Sequence, residues 1–296
     1  MDEHNNSYTP TPDRSQRLND LLNSKNTKLI AGSILAVILC IGTLLAVIVA
    51  SIPGDPLYTV KTNTLEELIE TTHVTVKDKS HYQVTRMETR LAEVKTLSKK
   101  EHVSEKAIGD MIRETTKHTN TINTLIARSI DSAFSKTEVL TTLNEFGSVA
   151  GAIEAISEND PKLILIGDSV EENRQDVIRL YKDRVESFVQ TETPQVVLDY
   201  LQHELTLVKE GLGDKDLSKR TVDLVENYLG RITTSLSTNN LIKAVTSSGE
   251  AYRLIRMEQY SGTIVPAVTN VNDSNTASST ATTSLPLGTS TEEVTE

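Results

Sequence analysis

PGDPLYTVK, residues 53–61, marks the change from a long apolar run to a polar chain with helical periodicity. Pro53 and Gly54 stop the preceding helix: proline lacks an amide donor, and glycine adopts the conformations in which helices end. Asp55 is a strong N-cap residue, and Pro56 suits the first helical position, where its fixed φ is already helical. Leu57 and Tyr58 then open an apolar face. With Lys61, these residues (Asp55, Pro56, Leu57, Tyr58) read as a structural joint rather than a site of chemistry.

Upstream of the joint, residues 29–52 read LIAGSILAVILCIGTLLAVIVASI, with no charge. At 1.5 Å per residue they reach about 36 Å, enough to cross a hydrocarbon core of about 30 Å with some tilt. A cleaved signal peptide has a shorter apolar region close to the N-terminus, and cleavage after Ser51 would place branched Val49 at an unfavourable position. Residues 29–52 are therefore expected to be a retained anchor in the lipid bilayer. Arg14, Arg17, Lys25 and Lys28 precede it, whereas Lys61 alone follows within about 20 residues, so residues 1–28 are expected to be cytoplasmic and the rest extracytoplasmic. In the cytoplasmic segment, residues 13–24 have the spacing of a short amphipathic turn through Leu18, Leu21 and Leu22.

The net charge is −11, and none of it arises before residue 29, where four basic and four acidic groups cancel. That acidity argues against nucleic acid, whose binding needs clustered Lys and Arg. The single cysteine, Cys40, lies in the apolar run and excludes an internal disulfide.

Downstream, apolar residues recur at helical spacing from Leu57 to Tyr260. Leu57, Val60, Leu65, Leu68 and Ile69 mark a first apolar face. Val84, Met87, Leu91 and Val94 mark a second, behind a Ser80/Gln83 capping box. A long helix from Ile108 to Ile130 is rich in threonine, a poor helix former, so packing must hold it. Ser135 and Glu138 form a capping box before Val139, Leu143, Phe146, Ala150 and Ile153. A fifth helix covers about 169–190. Thr193-Pro194 starts a sixth, with Leu198, Leu201, Leu205, Val208 and Leu212 as its seam and Gly211 and Gly213 as its stop. Val222, Val225, Leu229, Ile232 and Leu236 mark a seventh, and a last helix starts near Asn240. The expected fold is all-α: one transmembrane helix, an extracytoplasmic bundle of about seven or eight helices, and a disordered tail. The expected units are 1–28, 29–52, a helical domain 53–157, a second helical sub-bundle 158–261 that can be continuous with the first, and a Ser/Thr-rich tail 262–296.

Enzymatic motifs are incomplete. Lys162–Val170, KLILIGDSV, resembles the first block of the GDSL-type esterases, in which a strand delivers Ser169 as nucleophile. That family's D-x-x-H block is represented only by Asp199 and His203 at the wrong spacing, its G-x-N-D block is missing, and a base with an orienting acid is required. The plain alternative is that Asp168 or Ser169 caps a helix with Glu172. His203-Glu204 begins like a zincin motif, but position 207 is Leu. Asp214-Lys215-Asp216 opens like a calcium loop, but Lys219 stands where glycine is needed. Gly147 and Gly151 imply close helix packing. Glu66, Glu67 and Glu70 read as a solvated face at a helix start. No catalytic residue, metal site or cofactor is expected.

GDPLYTVK also resembles the opening of an uncharacterised bacterial ectodomain family with the signature G-D-x-L-Y-x-x-K just after a transmembrane helix. A second helix of that family carries a basic-acidic stripe ending R-L-x-E, and TRMETRLAEVKTL, Thr85–Leu97, is similar. The resemblance covers about residues 53–155 and implies an extracytoplasmic helical domain without catalytic residues. The functional expectation is a single-pass bacterial membrane protein whose outer domain is a non-enzymatic interaction or scaffold module for an envelope protein partner. The alternatives are a signalling regulator reporting through the cytoplasmic peptide and, more remotely, an esterase using Ser169.

Overall fold

The computed structural model describes residues 25–129 and 134–262. The short amphipathic turn at 13–24, Ile130 and the tail beyond Gly262 lie outside the described residues. Among the described residues there are nine helices and no strand. They are α1 Lys25–Ala50, α2 (58–72), α3 Val76–Ser98, α4 Glu105–Arg128, α5 Lys136–Glu158, α6 Ile164–Thr191, α7 Pro194–Leu212, α8 Lys219–Ser237 and α9 Leu241–Ser261. α2 comprises Tyr58–Val60, a π-helical stretch Lys61–Leu65, and Glu66–Thr72 in continuous succession.

From Gly32 to Ala50 α1 is exposed except at Ile48, and that stretch is long and apolar enough to cross a membrane. α5 is buried on nearly every side and lies against α3, α6 and α9; α4 packs on α3 and α6, and α7 and α8 pack on α9. α5 can sit there because it is built of small residues. A Cβ at Gly147 would meet the Arg253 side chain at 3.2 Å, and one at Gly151 would run into Met257. The main core runs through α3–α7 and on into α8 and α9, from Met87 to Val245, and a smaller cluster joins Val208, Val225 and the C-terminal half of α9. Arg174 of α6 forms a forked ion pair with Glu154 of α5 across the turn at 159–163.

Local chemistry explains most helix ends. Ser135 and Glu138 make both bonds of a capping box. Thr193 is the N-cap with Pro194 behind it, and the Asn240 side chain accepts from Lys243 N at 3.0 Å. The threonines of α4 are accommodated because Thr115, Thr119, Thr121 and Thr124 each donate to the carbonyl four residues back at 2.8–3.0 Å.

Four expectations are corrected. α3 starts earlier than the Ser80/Gln83 box implied: Thr75 caps it, and Ser80 and Gln83 lie buried within it. The LILIGDS string is the first turns of α6, not a strand, so Asp168 and Ser169 sit inside the helix rather than capping it. The buried stripe of α7 is Val197, Leu201, Glu204 and Val208, which leaves Leu198 exposed; Leu236 of α8 is likewise exposed. The largest correction is α2. Its apolar residues Val60, Leu68 and Ile69 face out, while Tyr58, Lys61, Thr62 and Glu66 face in.

Candidate functional site

The inward face of α2 meets the stripe of α3. The local reason is the π-helical stretch, whose wider turn brings Lys61 and Thr62 inward together with Tyr58 and Glu66. On α3, Arg86, Arg90 and Glu93 stand at i, i+4 and i+7, which places them on one side of the helix. Arg90 is fully buried and donates to Glu66 Oε1 at 2.8 Å and to the Tyr58 hydroxyl. Arg86 pairs with the other oxygen of Glu66. Glu93 accepts from Tyr58 at 2.8 Å and from Lys61 Nζ at 2.7 Å. With Glu114 of α4, three buried carboxylates face the buried Lys61, Arg86 and Arg90. Burial and the neighbouring Arg90 charge pull Arg86 down to about 9. Burial pushes the Tyr58 hydroxyl up.

Lys61 makes one more contact. Its ammonium donates to the Ser51 carbonyl at 2.9 Å, just past the end of α1. A helix C-terminus leaves carbonyls without intrahelical partners and favours a cation. Lys61 therefore joins the end of α1 to Glu93 of α3 through a single charged group. Asp55 does not act as the N-cap of α2. Its carboxylate turns back to accept from Ile52 N at 2.9 Å, its carbonyl accepts from Tyr58 N at 3.2 Å, and α2 begins after Leu57 without a side-chain cap. Asp55 thus ties the turn that leaves α1. Pro56 is exposed and Leu57 half-buried within that turn. Gly54 has a φ of 93°, a left-handed conformation suited to glycine, and a Cβ there would press on Ala107 at 3.1 Å. Its amide donates to Asp110 of α4 at 3.1 Å. Burial alone would raise the Asp110 carboxyl, but hydrogen bonds from Lys106, Gly54 and Arg113 hold it below its ordinary range.

His118 of α4 closes the inner end. Its Nδ1 lies 2.9 Å from Gln83 Oε1. Burial and the charges of Arg90, Arg86 and Lys117 hold His118 well below its usual value, so it is neutral. Glu66, Glu114 and His118 present ligand atoms within 4.8 Å of one another, a grouping that could hold a metal by distance. Chemistry opposes that use, because both oxygens of Glu66 are engaged by guanidiniums, and a dication there would stand against two buried arginines. The cluster is suited to holding three helices in one register.

The reading of Glu66 as solvated is corrected; Glu67 of the same turn is exposed and reaches Lys117 at 2.7 Å. Arg86, Arg90 and Glu93 carried a signal in the sequence: charges interleaved with Met87, Leu91 and Val94 must be partly enclosed. Ser169 is half-buried in α6, and among the described residues no hydrogen bond joins it to Asp199 or His203. His203 is exposed while Glu204 is buried, so the two do not share a face. A cavity of about 390 Å³ lies beside Phe134, Val139, Arg184 and Glu192.

No curated protein and no solved structure matches the chain. Residues 50–162, which contain every residue of the α1–α2–α3–α4 joint, match the family model of an uncharacterised domain, "Domain of unknown function (DUF5667)".

Proposed function

We propose that this chain is a non-enzymatic, single-pass membrane protein of a bacterial envelope, anchored in the bilayer by residues 29–52, with the α2–α9 bundle held outside as a scaffold for another envelope protein. The observation that carries the reading is the Lys61 contact, which fixes the bundle to the end of an apolar helix through Ser51 and Glu93. A tethered but freely swivelling domain has no use for such a buried ionic joint. The test is crosslinking and pull-down of the intact protein from membranes, with protease shaving of whole cells. Specific capture of an envelope protein, with residues 57–260 cleaved from outside, is expected. Protection of those residues in intact cells that are cleaved after lysis would overturn the topology.

A second reading, a regulator that reports inward, is favoured by the same joint, since a stiff link passes motion of the bundle to α1. Deletion of residues 1–28 separates the two: the scaffold keeps its partner, and the regulator loses its output.

A further inference from the structure

α7 seats against α9 and meets α6 only lightly. Its inward stripe places Glu204 between Leu201 and Val208, with 1% of its surface exposed. Several groups face it. From α5, Asn144 Nδ2 donates to its Oε2 at 3.4 Å, and Glu145 adds a like charge. From α6 comes the Tyr181 hydroxyl, from α7 itself Tyr200, and from α9 Arg253 and Tyr252. Arg253 forms no ion pair with it. Its Nη1 donates to Asn144 Oδ1, and its guanidinium lies over the Tyr181 ring, 4.7 Å from the centroid. The Asn144 amide therefore stands between a buried cation and a buried carboxyl. Glu145 is occupied elsewhere, by Tyr252, Tyr260 and Arg256.

We propose that Glu204 is a proton-operated latch: neutral, it lets α7 seat against α9; ionised, it loosens α7 from the bundle. Burial, the largest influence, pushes the carboxyl up to about 7 from its ordinary 4.5. The folded form thus holds a proton that the released form gives up. Seating is firmest below the ordinary value, weakens as pH rises from 4.5 to about 7, and is constant above that. Release would uncover Val197, Leu201 and Val208, a ready-made apolar stripe, so the latch controls access to a surface as well as stability.

Hydrogen exchange with mass spectrometry on the full chain in detergent, from pH 5 to 8.5 and corrected for intrinsic exchange, tests this. Protection of α7 peptides is expected to fall by close to tenfold per pH unit between about 5 and 7, the slope of one linked proton, and then to level off. Peptides of α5 should not follow. Glu204→Gln should hold α7 protection flat across the range. Should that variant fail to fold, Glu204→Met serves the same comparison. A wild-type α7 profile without slope, or the wild-type slope retained in either variant, overturns the latch.

Discussion

At the α2–α3–α4 joint, three buried cations face three buried carboxylates, two of which, Glu66 and Glu93, pair with them directly, whereas at the α7 seam a carboxyl and an arginine face each other through an amide. The joint is balanced and fastens helices; the seam is unbalanced and responds to protons. The lesson is that burial alone does not decide what a charge does in a fold. The partner's distance does, because attraction offsets desolvation only at short range and in good geometry.

The comparison can be broken most forcefully at Arg90. Arg90→Ala leaves Glu66 and Tyr58 without their common donor and Glu93 without one of its paired cations, and we expect it to cost about 3–5 kcal/mol in a urea melt of the full chain. A loss below about 1 kcal/mol would mean that water replaces the guanidinium and that the joint is not a closed unit. Glu204→Gln should act in the opposite direction. With the folded value near 7 against 4.5, it should stabilise the protein at pH 8 by up to about 3 kcal/mol and have no effect at pH 4. Equal effects at both pH values would refute the linkage.

Gly249→Ala probes the seam without charge. The new Cβ would run into the Tyr181 hydroxyl, so a loss of about 1–3 kcal/mol is expected in the same melt. The smallest effect belongs to the joint's outer turn. Asp55→Ala removes one side-chain bond to Ile52 N and should cost about 0.5–1.5 kcal/mol. A change within error there would show that backbone bonds alone hold the turn. Acid sharpens the contrast further. His118 is neutral when folded, so the unfolded chain gains protons as pH falls below 6.5, and the joint should weaken in the range where the α7 seam tightens. Exchange at α4 and α7 amides, followed together, reads both signs at once.

Much of the fold was legible because it rests on local rules. The apolar run of α1, the Ser135 box, the Thr193-Pro194 start and the small residues of α5 each carry their own physics. The sidedness of α2 was not legible, because its apolar residues suggest one orientation and the charges on α3, 24 and 32 residues away, impose the other. The seam of α7 was displaced for a related reason. A leucine stripe through Leu198 ignores Glu204, whose buried carboxyl is met by Asn144 of α5, a side chain that itself lies against the bare backbone at Gly249. Arg86, Arg90 and Glu93 could be noticed as a stripe, but only the structure shows that Tyr58 and Lys61 are what they were spaced to meet.

The π-helical stretch in α2 has a consequence for chain length. A π turn takes in one residue more than an α turn. With one residue removed between Lys61 and Leu65, the helix could close as a regular α-helix in which the Glu66 amide still bonds to the Lys61 carbonyl, so Glu66 would keep facing Arg86 and Arg90. The wide turn is thus slack in the chain, one residue taken up without turning the helix beyond it. A single deletion in 62–65 is expected to keep the register of Glu66, whereas a further inserted residue, with the slack already used, would turn Glu66 away by about 100°.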